Sequence, residues 1–127
     1  MMIRKEYASL INWKNKKIRK PLMVLGVRQC GKTYLIKEFG KQEFEDMAYC
    51  NFDGNKGLQS IFDYDFDINR ILEELGSIVL GKKIVPGKTL LVLDEIQDCP
   101  RAIQALKYFC ENLPELHVIA AGSLLGM

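Results

Sequence analysis

The sequence is poor in the residues that build metal centres and disulfide scaffolds. It has one histidine and four cysteines in 127 residues, and no two cysteines form a CxxC pair. A zinc site is therefore not favoured, and the irregular cysteine spacing indicates reduced thiols. No apolar run approaches the roughly 20 residues of a membrane-spanning helix, and the basic N-terminus lacks the apolar segment of a secretory signal. We expect a cytoplasmic protein with no membrane contact.

Neither sign of charge dominates the chain. Eighteen basic and sixteen acidic residues give a net charge of +2, too little to indicate a polyanion-binding surface. The basic run from Lys14 to Lys20 is typical of a solvated face, so nucleic-acid contact is an unsupported alternative. The length of 127 residues and the apolar content of 48% fit a single domain over residues 1–127.

Short apolar runs alternate along the chain with segments in which apolar residues recur at helical spacing. The runs predict strands at residues 22–25, 47–52, 89–94 and 116–121. The helical spacing of apolar residues predicts helices over residues 3–14, 32–40, 67–80 and 101–112. Because strands and helices alternate, we predict an α/β fold with a parallel sheet.

Several details of these elements are specific enough to be checked. The strand at residues 22–25 is expected to be buried on both faces, and the helix after it to stop at Gly40. The apolar stripe of the helix over 67–80 includes Ile78. The expected inner face of the last helix comprises Ile103, Leu106, Cys110 and Leu113.

The first strand runs directly into a phosphate-binding sequence, a complete G-x-x-x-x-G-K-T. The predicted strand before it and helix after it are the context that this motif requires. Glycine lets backbone N–H groups approach phosphate closely, and the helix N-terminus favours anions. We predict that Lys32 contacts the β- and γ-phosphates and that Thr33 ligates Mg²⁺. The loop consists of Gly26, Val27, Arg28, Gln29, Cys30, Gly31, Lys32 and Thr33.

The strand at 89–94 ends in two adjacent carboxylates. A carboxylate that follows a buried strand is costly unless something offsets its desolvation, and a metal ion does so. Asp94 is therefore predicted to hold Mg²⁺ through water, and Glu95 to polarise the attacking water as general base. For Gln97 and Asp98 two alternative roles stay open: positioning water, or capping the next helix.

Short motifs, in this segment and elsewhere in the chain, distinguish the classes of nucleotide-binding enzyme. The chain lacks the D-x-x-G that a GTPase shows after this strand, and its Asn55-Lys56-Gly57-Leu58 is not a guanine-reading N-K-x-D. It also lacks the arginine-rich lid of a small-molecule kinase. An adenine nucleotide is favoured.

Three segments together, G-V-R-Q-C-G-K-T, L-V-L-D-E-I-Q-D-C-P and A-A-G-S-L-L-G, resemble one group of AAA-superfamily ATPases of bacteria and archaea. In that group an N-terminal ATPase domain precedes a C-terminal domain often described as restriction-endonuclease-like. The resemblance covers residues 3–126. It implies a three-layer P-loop NTPase sandwich with strand order 5-1-4-3-2, and it implies that Ser123 is a polar sensor of the γ-phosphate.

The resemblance also implies that the chain is an N-terminal fragment, because members of the group are longer. The fifth strand, the helical lid and the C-terminal domain would then be missing, and an arginine finger cannot be assigned. The strand at 22–25 would become a sheet edge. We therefore expect either self-association into a homo-oligomer or an edge covered by the N-terminal helix.

The predicted function is that of an ATP-binding, Mg²⁺-dependent hydrolase module that couples nucleotide state to the missing C-terminal domain. Hydrolysis is expected to be weak in this short form. Two alternatives stay open: a signalling or defence switch that hydrolyses ATP slowly, and a nucleic-acid-associated ATPase.

Overall fold

A computed structural model describes residues 3–26 and 31–123, with side chains from residue 5 onward. Four strands alternate with helices, as the sequence predicts. A π-helical turn at Gly76–Leu80 follows α4, and a 3₁₀ turn at Ile96–Asp98 follows β3. The elements are α1 Ile3–Lys14, β1 Leu22–Gly26, α2 Lys32–Glu43, β2 Asp46–Asn51, α3 Lys56–Ser60, α4 Ile68–Leu75, β3 Thr89–Asp94, α5 Pro100–Asn112 and β4 His117–Ser123.

The four strands form one parallel sheet in the order β1-β4-β3-β2. The predicted α/β fold is confirmed, and the observed order is that of the four corresponding strands in the expected 5-1-4-3-2. Gly26 pairs with Ser123 and Asn51 pairs with Asp94. The carboxyl ends of the strands therefore meet at one edge of the sheet, where ligands bind in open α/β sheets.

The core lies on both faces of the sheet, and β3 and β4 are buried along their whole length. One cluster joins α1 and α2 to the sheet, and a larger one joins α4 and α5 to the opposite face. Within residues 3–26 and 31–123, no helix is long and apolar enough to cross a membrane.

Strand β1 lies at the edge of the sheet, and the prediction that it is buried on both faces is wrong. Leu22 and Val24 pack against the cluster formed by α1 and α2, whereas Met23 and Leu25 on the other face are 39% and 43% exposed. The apolar run alone does not reveal this, because it does not show that the cluster formed with α4 and α5, which covers the other face of β3 and β4, includes none of the described residues of β1. Self-association through this edge stays a prediction.

The helices also differ from prediction at two positions. Helix α2 continues past Gly40 to Glu43, and a Cβ added at Gly40 would lie 2.5 Å from Sδ of Met47. This glycine therefore permits close packing and does not end the helix. Ile78 is 60% exposed, because the π-helical turn adds residues to each turn and rotates the apolar stripe out of register.

The inner face of α5 differs from the expected one as well. Ala102, Ala105 and Phe109 are its buried residues. Of the predicted set, Ile103, Leu106 and Leu113 pack at the flanks of the core, and Cys110 is half-buried. Two of these three side chains are alanines, whose small size permits a close approach of the helix to the sheet.

The cysteines that the structure describes are free thiols, as expected. Cys50 and Cys99 are buried and Cys110 is half-buried. Burial raises the pKa of Cys50 to about 12, so this thiol is unreactive at neutral pH. Cys30 lies outside the described residues.

The single histidine is buried among aromatic rings. The ring of His117 meets Trp13 and Phe44 edge-on, with centroids 5.6 and 5.1 Å away. Its Nε2 lies 3.2 Å from the carbonyl oxygen of Lys14, while Nδ1 is buried without a hydrogen-bond partner among the described residues. A neutral ring therefore donates from Nε2, and burial lowers the pKa of His117.

This lowered pKa predicts a pH dependence of stability. Below about pH 6.5 the unfolded chain binds a proton that the folded ring resists, so the free energy of unfolding falls as the pH drops from about 7 towards 5.5. His117→Phe keeps a ring but cannot titrate, and its melting temperature should fall less over the same range. Equal losses in the wild type and the variant would contradict the assignment.

Candidate functional site

The predicted site residues that the structure describes lie at the carboxyl edge of the sheet. Gly26 ends β1, Asp94 ends β3 and Ser123 ends β4, while Lys32 begins α2. Gly31 precedes the helix with a φ of +81°, a left-handed conformation that favours glycine. The other four residues of the predicted phosphate loop, Val27, Arg28, Gln29 and Cys30, lie outside the described residues.

Lys32 is directed into this edge of the sheet. Its Nζ donates a hydrogen bond to the carbonyl oxygen of Gly122 at 3.3 Å and lies 3.9 Å from Oδ1 of Asp94. The two charged side chains are only 8% and 3% exposed. At this distance the pair is longer than a charge-assisted hydrogen bond of about 2.8 Å, so the lysine is near the carboxylate without being closely bound to it.

Asp94 accepts hydrogen bonds on both carboxylate oxygens. Oδ1 accepts the backbone N–H of Glu95 at 2.8 Å. Oδ2 accepts hydrogen bonds from the hydroxyl of Thr33 at 3.5 Å and from the hydroxyl of Tyr49. Donors from α2, β2 and the end of β3 therefore converge on one buried carboxylate. These hydrogen bonds compensate the burial of its charge, and the carboxylate stays at the carboxyl ends of the strands.

These groups fit the chemistry of Mg²⁺. Magnesium prefers oxygen ligands, and it is commonly held by one or two protein side chains together with phosphate and water. The Thr33 hydroxyl and the Asp94 carboxylate are such oxygens, and they lie 3.5 Å apart. No group of three or more His, Cys, Asp or Glu side chains that could hold a metal occurs in residues 3–26 and 31–123. The hydroxyl of Thr33 and the carboxylate of Asp94 suit an ion that is shared with a phosphate ligand.

Glu95 has a left-handed backbone immediately after the end of β3. Its φ is +52°, and it is the only described non-glycine residue with a positive φ. Such a conformation costs about 1 kcal/mol or more and is concentrated at functional sites. The Oε1 atom accepts a hydrogen bond from Nε2 of Gln97 at 2.7 Å. Of the two roles left open for Gln97, the structure therefore favours a role beside the carboxylate over one as a helix cap.

Ser123 lies at the end of β4 and is 2% exposed. Its partner across the sheet is Gly26, the first residue of the phosphate-binding motif. This register brings Ser123 to the start of the loop. Its role as a γ-phosphate sensor stays a prediction.

Tyr49 is the residue of the site that the sequence did not reveal. It lies within β2 and pairs with Val92, two residues before Asp94. Side chains two residues apart on a strand share a face, so the register places Tyr49 and Asp94 on the side of the sheet that α2 covers. Burial and the hydrogen bond to Asp94 raise the pKa of the Tyr49 hydroxyl, which therefore remains a donor at neutral pH.

The fold and the site define a nucleotide-binding domain of the P-loop type: a parallel sheet, the G-x-x-x-x-G-K-T sequence, and Lys32 close to Asp94. A family model described as an AAA domain matches residues 18–127. The chain belongs to this family, and its function is of the nucleotide-binding ATPase type. No curated protein matches the sequence significantly.

Proposed function

We propose that this domain binds ATP together with Mg²⁺ and hydrolyses the bond to the γ-phosphate. The observation that carries the proposal is the convergence of Lys32 and Thr33 from α2 on Asp94 from β3, at the carboxyl edge of a parallel sheet. A buried lysine beside a buried carboxylate is an expensive arrangement for stability alone. The same arrangement suits a site that binds a polyphosphate together with its cation.

Nucleotide binding would use the start of α2. The first N–H groups of this helix have no acceptor within the helix, and its dipole favours negative charge. Among the described residues, Nζ of Lys32 has a carbonyl partner at 3.3 Å and a carboxylate oxygen at 3.9 Å, so it can move to the stronger acceptors that phosphate oxygens provide. Bound Mg²⁺ supplies positive charge that offsets the charge on the phosphates.

Glu95 is the proposed general base for the attacking water. Its side chain is half-buried, and Gln97 holds one carboxylate oxygen at 2.7 Å. The second oxygen is then available to accept a proton from water that attacks in line with the departing phosphate. Ser123, buried beside the start of the loop, is the proposed sensor that contacts the γ-phosphate or positions this water.

The proposal is tested by single-turnover hydrolysis with the wild-type chain in excess over radiolabelled nucleotide. We expect phosphate release from ATP in the presence of Mg²⁺, none in EDTA, and much slower release from GTP. Binding of ATP without release would favour the slow nucleotide switch. A chain that binds no ATP in Mg²⁺ would contradict the proposal.

A further inference from the structure

We propose that Tyr49 is a positioning residue for Asp94, fixing the carboxylate in the orientation that binding of Mg²⁺ with nucleotide requires. The inference rests on the proposed function of the site. It assigns to β2 a part in nucleotide binding that neither the phosphate-binding motif nor the acidic end of β3 contains. Three observations support it: the two anchors of the carboxylate, the restraint on Tyr49 and the position of Lys32.

Besides the long contact from the Thr33 hydroxyl, 3.5 Å from Oδ2, the carboxylate of Asp94 has one anchor from its own strand and one from the neighbouring strand. Oδ1 is held by the N–H of Glu95 at 2.8 Å, a donor that moves with the end of β3. The terminal torsion of an aspartate is broad, so this anchor and the 3.5 Å contact from Thr33 hold Oδ2 only weakly. The hydroxyl of Tyr49 holds Oδ2 from β2 and so fixes the plane of the carboxylate relative to the sheet.

Tyr49 is itself well restrained. Its strand pairs with β3 over six residues, from Asp46 opposite Thr89 to Asn51 opposite Asp94. The ring packs at the margin of the cluster formed with α2, and Nζ of Lys37 lies 4.4 Å from the ring centroid. A donor held on a six-residue ladder and beneath a cation can position its partner better than a surface hydroxyl could.

The position of Lys32 explains why this restraint matters. Its Nζ lies 3.9 Å from Oδ1 of Asp94, and both side chains are almost fully buried. A carboxylate free to turn would form a closer ion pair with Lys32, since attraction in a poorly solvated place rises steeply at short range. That pair would occupy the lysine needed for phosphate and the oxygen needed for Mg²⁺. Tyr49 therefore keeps both groups available.

Tyr49→Phe removes only the hydroxyl and leaves the ring beneath Lys37. We expect the Mg²⁺ concentration for half-maximal binding of a fluorescent ATP analogue to rise about tenfold, as for loss of a hydrogen bond to a charged group. The affinity measured in EDTA should stay unchanged. The matched control is Tyr7→Phe, whose hydroxyl bonds to Gln42 at 3.0 Å between α1 and α2, and it should leave the Mg²⁺ requirement unaltered.

A double variant separates positioning from a general structural role. If Tyr49 acts through the carboxylate, Tyr49→Phe should not raise the Mg²⁺ requirement further in an Asp94→Asn background. A further rise there, or a loss of affinity in EDTA, would overturn the inference. Should Tyr49→Phe fail to fold, Lys37→Met tests the same restraint, with an expected rise of about threefold from the lost cation–π contact.

The two proposals fail in different ways. A wild-type chain that binds ATP with Mg²⁺, and a folded Tyr49→Phe variant with the same Mg²⁺ requirement, would overturn the role of Tyr49 alone. A wild-type chain that does not bind ATP with Mg²⁺ would overturn both the proposed function and this inference.

Discussion

Glu95→Gln should lower the single-turnover rate of ATP hydrolysis by at least about a hundredfold, the usual contribution of a general base, with little change in ATP affinity. The amide oxygen can still accept the hydrogen bond from Gln97 that the structure shows at 2.7 Å, so the side chain should keep its position. It cannot take a proton from water. Rapid-quench measurement of phosphate release and a separate binding titration would check the two parts.

The control for this variant is Glu111→Gln, which removes the same charge from an exposed position on α5. It should hydrolyse ATP at the wild-type rate. If Glu95→Gln kept more than about a tenth of that rate, which is less than the loss expected for a general base, Glu95 would not be the base. If it lost ATP binding instead, Glu95 would belong to the binding surface.

Lys32→Met should weaken ATP binding by about a hundredfold, equivalent to about 3 kcal/mol for the loss of two charge-assisted hydrogen bonds to phosphate. Methionine keeps the aliphatic stem but has no donor. It also removes from Asp94 the lysine cation that lies 3.9 Å away in the wild type. The melting temperature of the nucleotide-free variant should therefore fall as well.

Lys41→Ala is the matched control, because Lys41 lies on the same helix in its last turn and is exposed. Its ATP affinity should equal that of the wild type. Calorimetric titration with ATP and Mg²⁺ gives the affinity, and a thermal melt without nucleotide separates lost binding from lost folding. Wild-type affinity in a folded Lys32→Met variant would remove the lysine from the proposed site.

Much of the site could be predicted because its main side chains belong to short motifs that are continuous in the sequence. The G-x-x-x-x-G-K-T sequence lies between a predicted strand and a predicted helix, and this context places Lys32 and Thr33 at the start of the helix. The apolar run before Asp94 predicts a carboxylate at a strand end. Parallel strands bring their carboxyl ends to one edge, so the meeting of Thr33 and Asp94 at 3.5 Å follows from the fold class.

The contacts that could not be predicted depend on register and on local backbone geometry. Tyr49 reaches Asp94 across 45 positions of the sequence, and a slip of one residue between β2 and β3 would turn its ring to the other face. The left-handed backbone of Glu95 has no signature in its residue type. Likewise, the apolar spacing of Ile78 predicts burial, and only the π-helical turn explains its exposure.

Strand β1 has one further consequence for the nucleotide site. Along a parallel strand, alternate residues direct their N–H and C=O groups to opposite sides. In residues 3–26 and 31–123 only β4 pairs with β1, so about half of these groups have no partner strand. Local opening of β1 has to break a single ladder, which takes less free energy than unfolding the whole domain. The segment that leads into the phosphate loop can thus loosen while the central strands, and the carboxylate at the end of β3, stay in place.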